Sequence, residues 1–290
     1  LKTAVSREDS LYLSNIIPLF AEALKTNNSV NAKQIANSVH TYQKTFTKYD
    51  LPSESKSKAE HLYYRLMIFE RLFPFYATIG LIMLIGLIVI VIRGKKGNSL
   101  IVKILSWVLF GGFLLHTFGI GLRWYIAGHA PMSNGYESMI FISWVTLLAG
   151  FLFSRRSPFA LAATAVLASM TLMVAHLSFM DPEITNLVPV LKSYWLTLHV
   201  SVITGSYGFL GLGAVLSIIT MVLMSFSNGN NRERISNTID DLVVLNYKTL
   251  TLGLCFLTIG TFLGAVWANE SWGSYWGWDP KETWSLITIV

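Results

Sequence analysis

The sequence predicts an all-α polytopic membrane protein with six complete transmembrane helices, a truncated seventh, and an N-terminal helical arm on the extracytoplasmic side. Three observations carry that prediction. Charged residues make up 13% of the 290 and hydrophobic residues 53%, with a mean hydropathy of +0.52, whereas a soluble domain is about 25% charged. Six uncharged runs cover residues 72–92, 104–122, 138–154, 157–180, 193–231 and 249–269. Each is near or above the roughly 20 residues that a spanning helix needs, and backbone groups in lipid must be satisfied inside helices. Finally, Lys and Arg collect in alternate short loops, the pattern of a multi-pass chain.

Residues 1–71 are polar enough to form the extracytoplasmic arm. Asn31 opens a helical pattern in which Ile35, Val39, Tyr42, Phe46 and Tyr49 form one apolar stripe. Leu51-Pro52 followed by SESKSK reads as a linker. Leu62, Leu66, Phe69 and Phe73 then lead into the first transmembrane helix, residues 72–93, and the remaining spans fall within 100–290. The run 193–231 exceeds one span, so its helix is expected to end near Phe226, and residues 240–245 are expected at the inner interface. A seventh apolar run starts at Thr283 and stops at Val290, and the first residue is Leu, so the chain is expected to be an internal fragment.

The loops holding Arg93, Lys95, Lys96 and Lys103, then Arg155 and Arg156, then Arg232, Arg234 and Lys248 all fall on one side, which the positive-inside rule makes cytoplasmic. Opposite loops hold only Arg123, Lys192 and Lys281. The net charge of +6 is thus dispersed by topology and does not call for nucleic acid; the partner it implies is membrane lipid. Cys255 is the single cysteine, so the chain holds neither a disulfide, nor a CxxC redox pair, nor a CxxCH haem-attachment motif.

The stretch 267–284, WANESWGSYWGWDPKETW, holds five of the nine tryptophans, Trp267, Trp272, Trp276, Trp278 and Trp284, on the outward side. An interfacial belt needs only one or two rings per helix end. Here indoles alternate with Gly273 and Gly277, a composition suited to a platform for a large flat ligand. Asp279, Pro280 and Glu282 read as N-cap, first turn and third position of a helix, a near capping box.

Four histidines lie in or beside spans: His116, His129, His176 and His199. His199 falls about one turn inside the outer end of the fifth span, on the side of the tryptophans, and a neutral imidazole there suits an axial ligand to haem iron. His116, His129 and His176 are either ligand-contacting groups or helix–helix contacts. Arg123, between apolar residues and Trp124-Tyr125, either pairs with a carboxylate such as a haem propionate or snorkels to headgroups.

WGSYWGWDPKETWSL resembles the WWD motif of haem-handling membrane proteins, and its WDPKET ending looks like the CcsA (ResC) type of the System II cytochrome c synthases. HTFGIGLRWYIAGHAPMSNGYES from His116 and LKSYWLTLHV around His199 look like the same family, so the similarity covers about residues 100–290. The arm and first span look like the region that precedes the CcsA part in fused CcsBA proteins.

The resemblance implies a lyase-type synthase in a bacterial inner membrane or thylakoid membrane that exports haem b and attaches it by thioether bonds to a CxxCH apocytochrome c. It implies an external haem over the WWD loop, contacting Trp267, Trp272, Trp276, Trp278 and Asp279, with His199 as one axial iron ligand. The second external histidine, and one of an intramembrane pair, would lie beyond Val290; the other intramembrane histidine would belong to a CcsB/ResB part, fused or separate. Alternatives are a WWD protein that delivers haem without attaching it, or a small-solute transporter. No side chain is expected to act as an acid or base.

Overall fold

The computed structural model describes residues 7–46, 53–94, 99–177, 180–184, 193–227 and 231–290. These fold into ten helices with no strand among them: α1 Arg7–Lys25, α2 Ser29–Phe46, α3 Glu54–Leu66, α4 Ile68–Arg93, α5 Ser99–Ala127, α6 Gly135–Ser154, α7 Pro158–Ala175, α8 Tyr194–Ser225, α9 Arg232–Trp272 and α10 Pro280–Ile289. Six helical segments are long and apolar enough to cross a membrane, which meets the expected number of complete spans.

Two compact units divide the chain, Leu1–Ser57 and Lys58–Val290. In the first, α1 and α2 form a hairpin: Tyr12 stacks on Tyr42 at 4.8 Å between centroids, and its hydroxyl lies 3.2 Å from Ser38 Oγ. Asn28 turns the chain into α2 by accepting from the Asn31 amide at 3.1 Å. Ile35, Val39 and Tyr42 are half-buried while their neighbours are exposed, as the stripe requires; the Phe46 side chain and Tyr49 lie outside the described residues.

The linker expectation fails after Pro52. SESKSK is helical from Glu54, because Ser53 caps the first turn by accepting from the Lys56 amide at 3.3 Å and Glu54 complements the helix N-terminus. The polar composition that resembles a linker equally suits an exposed helix.

The core of the second unit is α7, in contact with α4, α6 and α8. Its residues Ala160, Ala162, Ala163, Ala165 and Ala168 are fully buried; small side chains let backbones approach where lipid offers no hydrophobic drive for association. Where α4 crosses α7, a Cβ on Gly80 would fall 2.9 Å from the Ala165 Cβ, so only glycine fits.

α8 ends at Ser225, with Phe226 as its C-cap, as the sequence predicts, and α9 packs along α8. Residues 240–245 lie within α9, with Leu242 and Leu245 fully buried, and are continuous with the sixth span. At 41 residues and about 1.5 Å per residue, α9 exceeds the roughly 30 Å hydrocarbon core.

Candidate functional site

His199 sits in the second turn of α8, facing α9. Its Nδ1 donates to the Gly260 carbonyl at 2.9 Å, a bond that fixes the tautomer because a carbonyl can only accept. In the neutral ring Nε2 is then the unprotonated nitrogen, and it has no hydrogen-bond partner among the described residues. The ring is nearly parallel to Trp267, 10° between planes and 6.2 Å between centroids. Gly264, one turn after Gly260, makes room: a Cβ there would lie 2.5 Å from His199 Cε1 and 2.6 Å from Nδ1. Presenting the Gly260 carbonyl to this contact and keeping Gly264 bare are what α9 contributes to the histidine.

Trp267 continues the aromatic run by meeting Trp272 edge-on, 4.8 Å between centroids. Helix α9 then stops at Gly273, whose φ of 79° admits a left-handed C-cap donating to the Asn269 carbonyl. After the loop, Trp276 and Trp278 form a second edge-on pair at 5.8 Å and 86°. Trp272, Trp278 and Trp284 are exposed, whereas the indole N–H groups of Trp267 and Trp276 are buried with no acceptor. The capping box at the start of α10 is complete: Asp279 Oδ1 accepts from the Glu282 amide at 2.8 Å, and Glu282 Oε2 accepts from the Asp279 amide. Asp279 therefore commits one carboxylate oxygen to the helix start. Lys281, in the first turn of α10, lies within electrostatic reach of His199.

The remaining candidates lie elsewhere. His116 is fully buried between α4, α5 and α6; its Nε2 donates to the Ile140 carbonyl at 3.2 Å and its Nδ1 faces the Tyr76 hydroxyl at 3.5 Å. Arg123 neither snorkels nor faces water. It is 1% exposed, and its donors go to Glu137 Oε1 (2.8 Å), the Tyr63 hydroxyl (3.0 Å), and the Pro182 and Glu183 carbonyls (2.8 and 3.0 Å). His129 is half-buried, its Nδ1 donating to the Ala130 carbonyl at 3.1 Å, and His176 is the exposed C-cap of α7.

Sequence reasoning missed Gly260, Gly264 and Glu137. Glu137 had a signal in Asn134, three residues earlier, whose side chain caps α6 by accepting from the Glu137 amide at 2.8 Å. Its carboxylate does not close the capping box but takes Arg123 and both donors of Ser133. No local pattern announces a partner fourteen residues away.

Fold and site together define a multi-pass α-helical membrane protein with a histidine–tryptophan face where α8 packs on α9 and α9 leads into α10. Residues 132–290 match the family model described as cytochrome C assembly protein, and the chain belongs to that family, in its CcsA-type branch. It is 50% identical over 243 residues to the protein NrfI of Wolinella succinogenes, an alignment covering 83% of this chain and 26% of NrfI. With the cytochrome c biogenesis protein CcsA of Prochlorococcus marinus it shares 37% over 225 residues, 67% of this chain and 70% of the relative. With CcsA of Chlamydomonas reinhardtii it shares 42% over 176 residues, 58% and 49% of the two chains. The chain thus spans about a quarter of NrfI and half of the algal protein.

Proposed function

We propose that this chain, within its full-length protein, acts in cytochrome c maturation by holding haem b, its substrate, on the extracytoplasmic face for thioether attachment to a CxxCH apocytochrome c. The observation that carries this reading is the state of His199: Nδ1 is bound to Gly260, which leaves Nε2 with a lone pair, on a ring that continues into indoles. Among the described residues no three His, Cys, Asp or Glu side chains are grouped to hold a bare metal ion. One imidazole beside a wide aromatic surface instead suits a metal that arrives in its own macrocycle. The fit extends to the buried indole N–H groups of Trp267 and Trp276, which lack acceptors that the polar edge of such a ligand would supply.

On this reading the chain's residues bind and orient. His199 gives an axial bond that the histidine of the client can exchange for its own, and Trp267, Trp272, Trp276 and Trp278 hold the macrocycle with an edge free. Each client thiol adds its S–H across a vinyl C=C, so nothing is oxidised or reduced and no leaving group departs. The work left to the protein is alignment. His116, both nitrogens engaged, and Arg123, engaged with Glu137, serve the bundle. We assign residues 1–71 to an extracytoplasmic arm and 100–290 to the haem-handling domain, on the positive-inside pattern, with a CcsB/ResB part as partner.

Absorption spectra and denaturing haem stains of the full-length protein co-expressed with an exported CxxCH client test this. Haem bound by the parent, lost in His199→Ala, together with haem on the client that survives denaturation, is expected. Unchanged haem in His199→Ala would remove the ligand assignment. Bound haem without covalent client would turn the reading to haem delivery alone.

A further inference from the structure

Trp278 has a φ of +56°, a conformation that side chains adopt only when their surroundings enforce it. Of the other described non-glycine residues at positive φ, Asn27 belongs to the residue type that tolerates it, and Met67 is the joint between α3 and α4. Trp278 is neither: it lies in the loop and exposes 70% of its surface. Its two neighbours in the chain are both held by Glu282. One oxygen, Oε2, accepts from the Gly277 amide at 2.7 Å and from the Asp279 amide at 3.3 Å, the residues immediately before and after Trp278. A helix cap requires only the second of these. The shorter bond reaches past the cap and across the tryptophan.

We propose that Glu282 is a positioning residue for the aromatic platform: its carboxylate draws together the amides on both sides of Trp278, fixing the outward presentation of that indole at a right angle to Trp276. A charge-assisted bond to each amide offsets the backbone strain, and Asp279, by accepting from the Glu282 amide, holds the helix turn that aims the carboxylate. The Trp276 indole N–H, buried and without an acceptor, belongs to the same pair. The consequence for haem rests on the function proposed above; the clamp itself does not.

The test uses full-length protein labelled with 5-fluorotryptophan, with the Trp278 resonance assigned through Trp278→Phe. Glu282→Ala is expected to displace the Trp278 resonance and lower haem per protein about tenfold, the scale for removing the group that orients a ligand. Glu282→Gln keeps an acceptor oxygen at the same reach without the charge and is expected to retain most of both, above Glu282→Ala and below the parent. Glu282→Asp keeps the charge in the first turn but falls short of Gly277, and is expected to behave as Glu282→Ala; it is also the variant to examine if Glu282→Ala does not accumulate. A Trp278 resonance unmoved in Glu282→Ala and Glu282→Asp overturns the clamp. A resonance that moves while haem content holds keeps the clamp and removes Trp278 from the haem platform.

Discussion

His116 and His199 invite comparison because so much about them is alike. Each lies in a membrane-spanning helix, each donates one ring nitrogen to a backbone carbonyl of a neighbouring helix, and each packs against an aromatic ring. They differ in the second nitrogen. That of His116 faces the Tyr76 hydroxyl inside a fully buried cluster, whereas that of His199 is unpartnered on a half-buried ring beside the tryptophans. Position in the bilayer makes a histidine costly to bury; the leftover lone pair decides whether it has anything to offer a ligand.

The comparison breaks most visibly at His199. His199→Ala is expected to empty the full-length protein of haem while its accumulation in the membrane stays near normal, with added imidazole restoring part of the absorbance; equal haem loss in His116→Ala would erase the distinction. On the structural side, Glu137→Ala leaves Arg123 buried and unpaired, and is expected to cost about 3–5 kcal/mol, measured as a fall in thermal stability in detergent with haem per folded molecule unchanged. His116→Ala should cost less, about 1–3 kcal/mol, for the Ile140 carbonyl and Tyr76 hydroxyl it orphans, again without spectral change. The gentlest test is Gly264→Ala. Its methyl would meet the His199 ring at 2.5 Å, so the imidazole must turn, and haem affinity should fall about tenfold, with about 1 kcal/mol of stability lost with the Gly260 bond.

Much of this was legible in the sequence because membrane spans and caps are local signals. The six spans follow from uncharged length, the end of α8 near Phe226 from the limit on one span, and the capping box from Asp279, Pro280 and Glu282 in order. His199 stood out by its neighbours on one side of the membrane. What stayed hidden was long-range. That Gly260 would give its carbonyl to a residue 61 positions away, or that Arg123 would find Glu137, depends on how helices cross. The α3 segment failed for another reason: Ser, Glu and Lys serve linkers and solvated helices alike, and only the Ser53 cap separates them.

The uninterrupted length of α9 ties the two faces of the membrane into one phase. Leu242 and Leu245 near its start, Gly260 and Gly264 along its course and Trp267 near its end all share a single rotation about one axis. One residue inserted after Gly253 would turn everything beyond it by about 100° and raise it by about 1.5 Å, carrying Trp267 off the His199 ring although every side chain remained. The angular register of α9 is therefore as much a component of the site as any tryptophan in it.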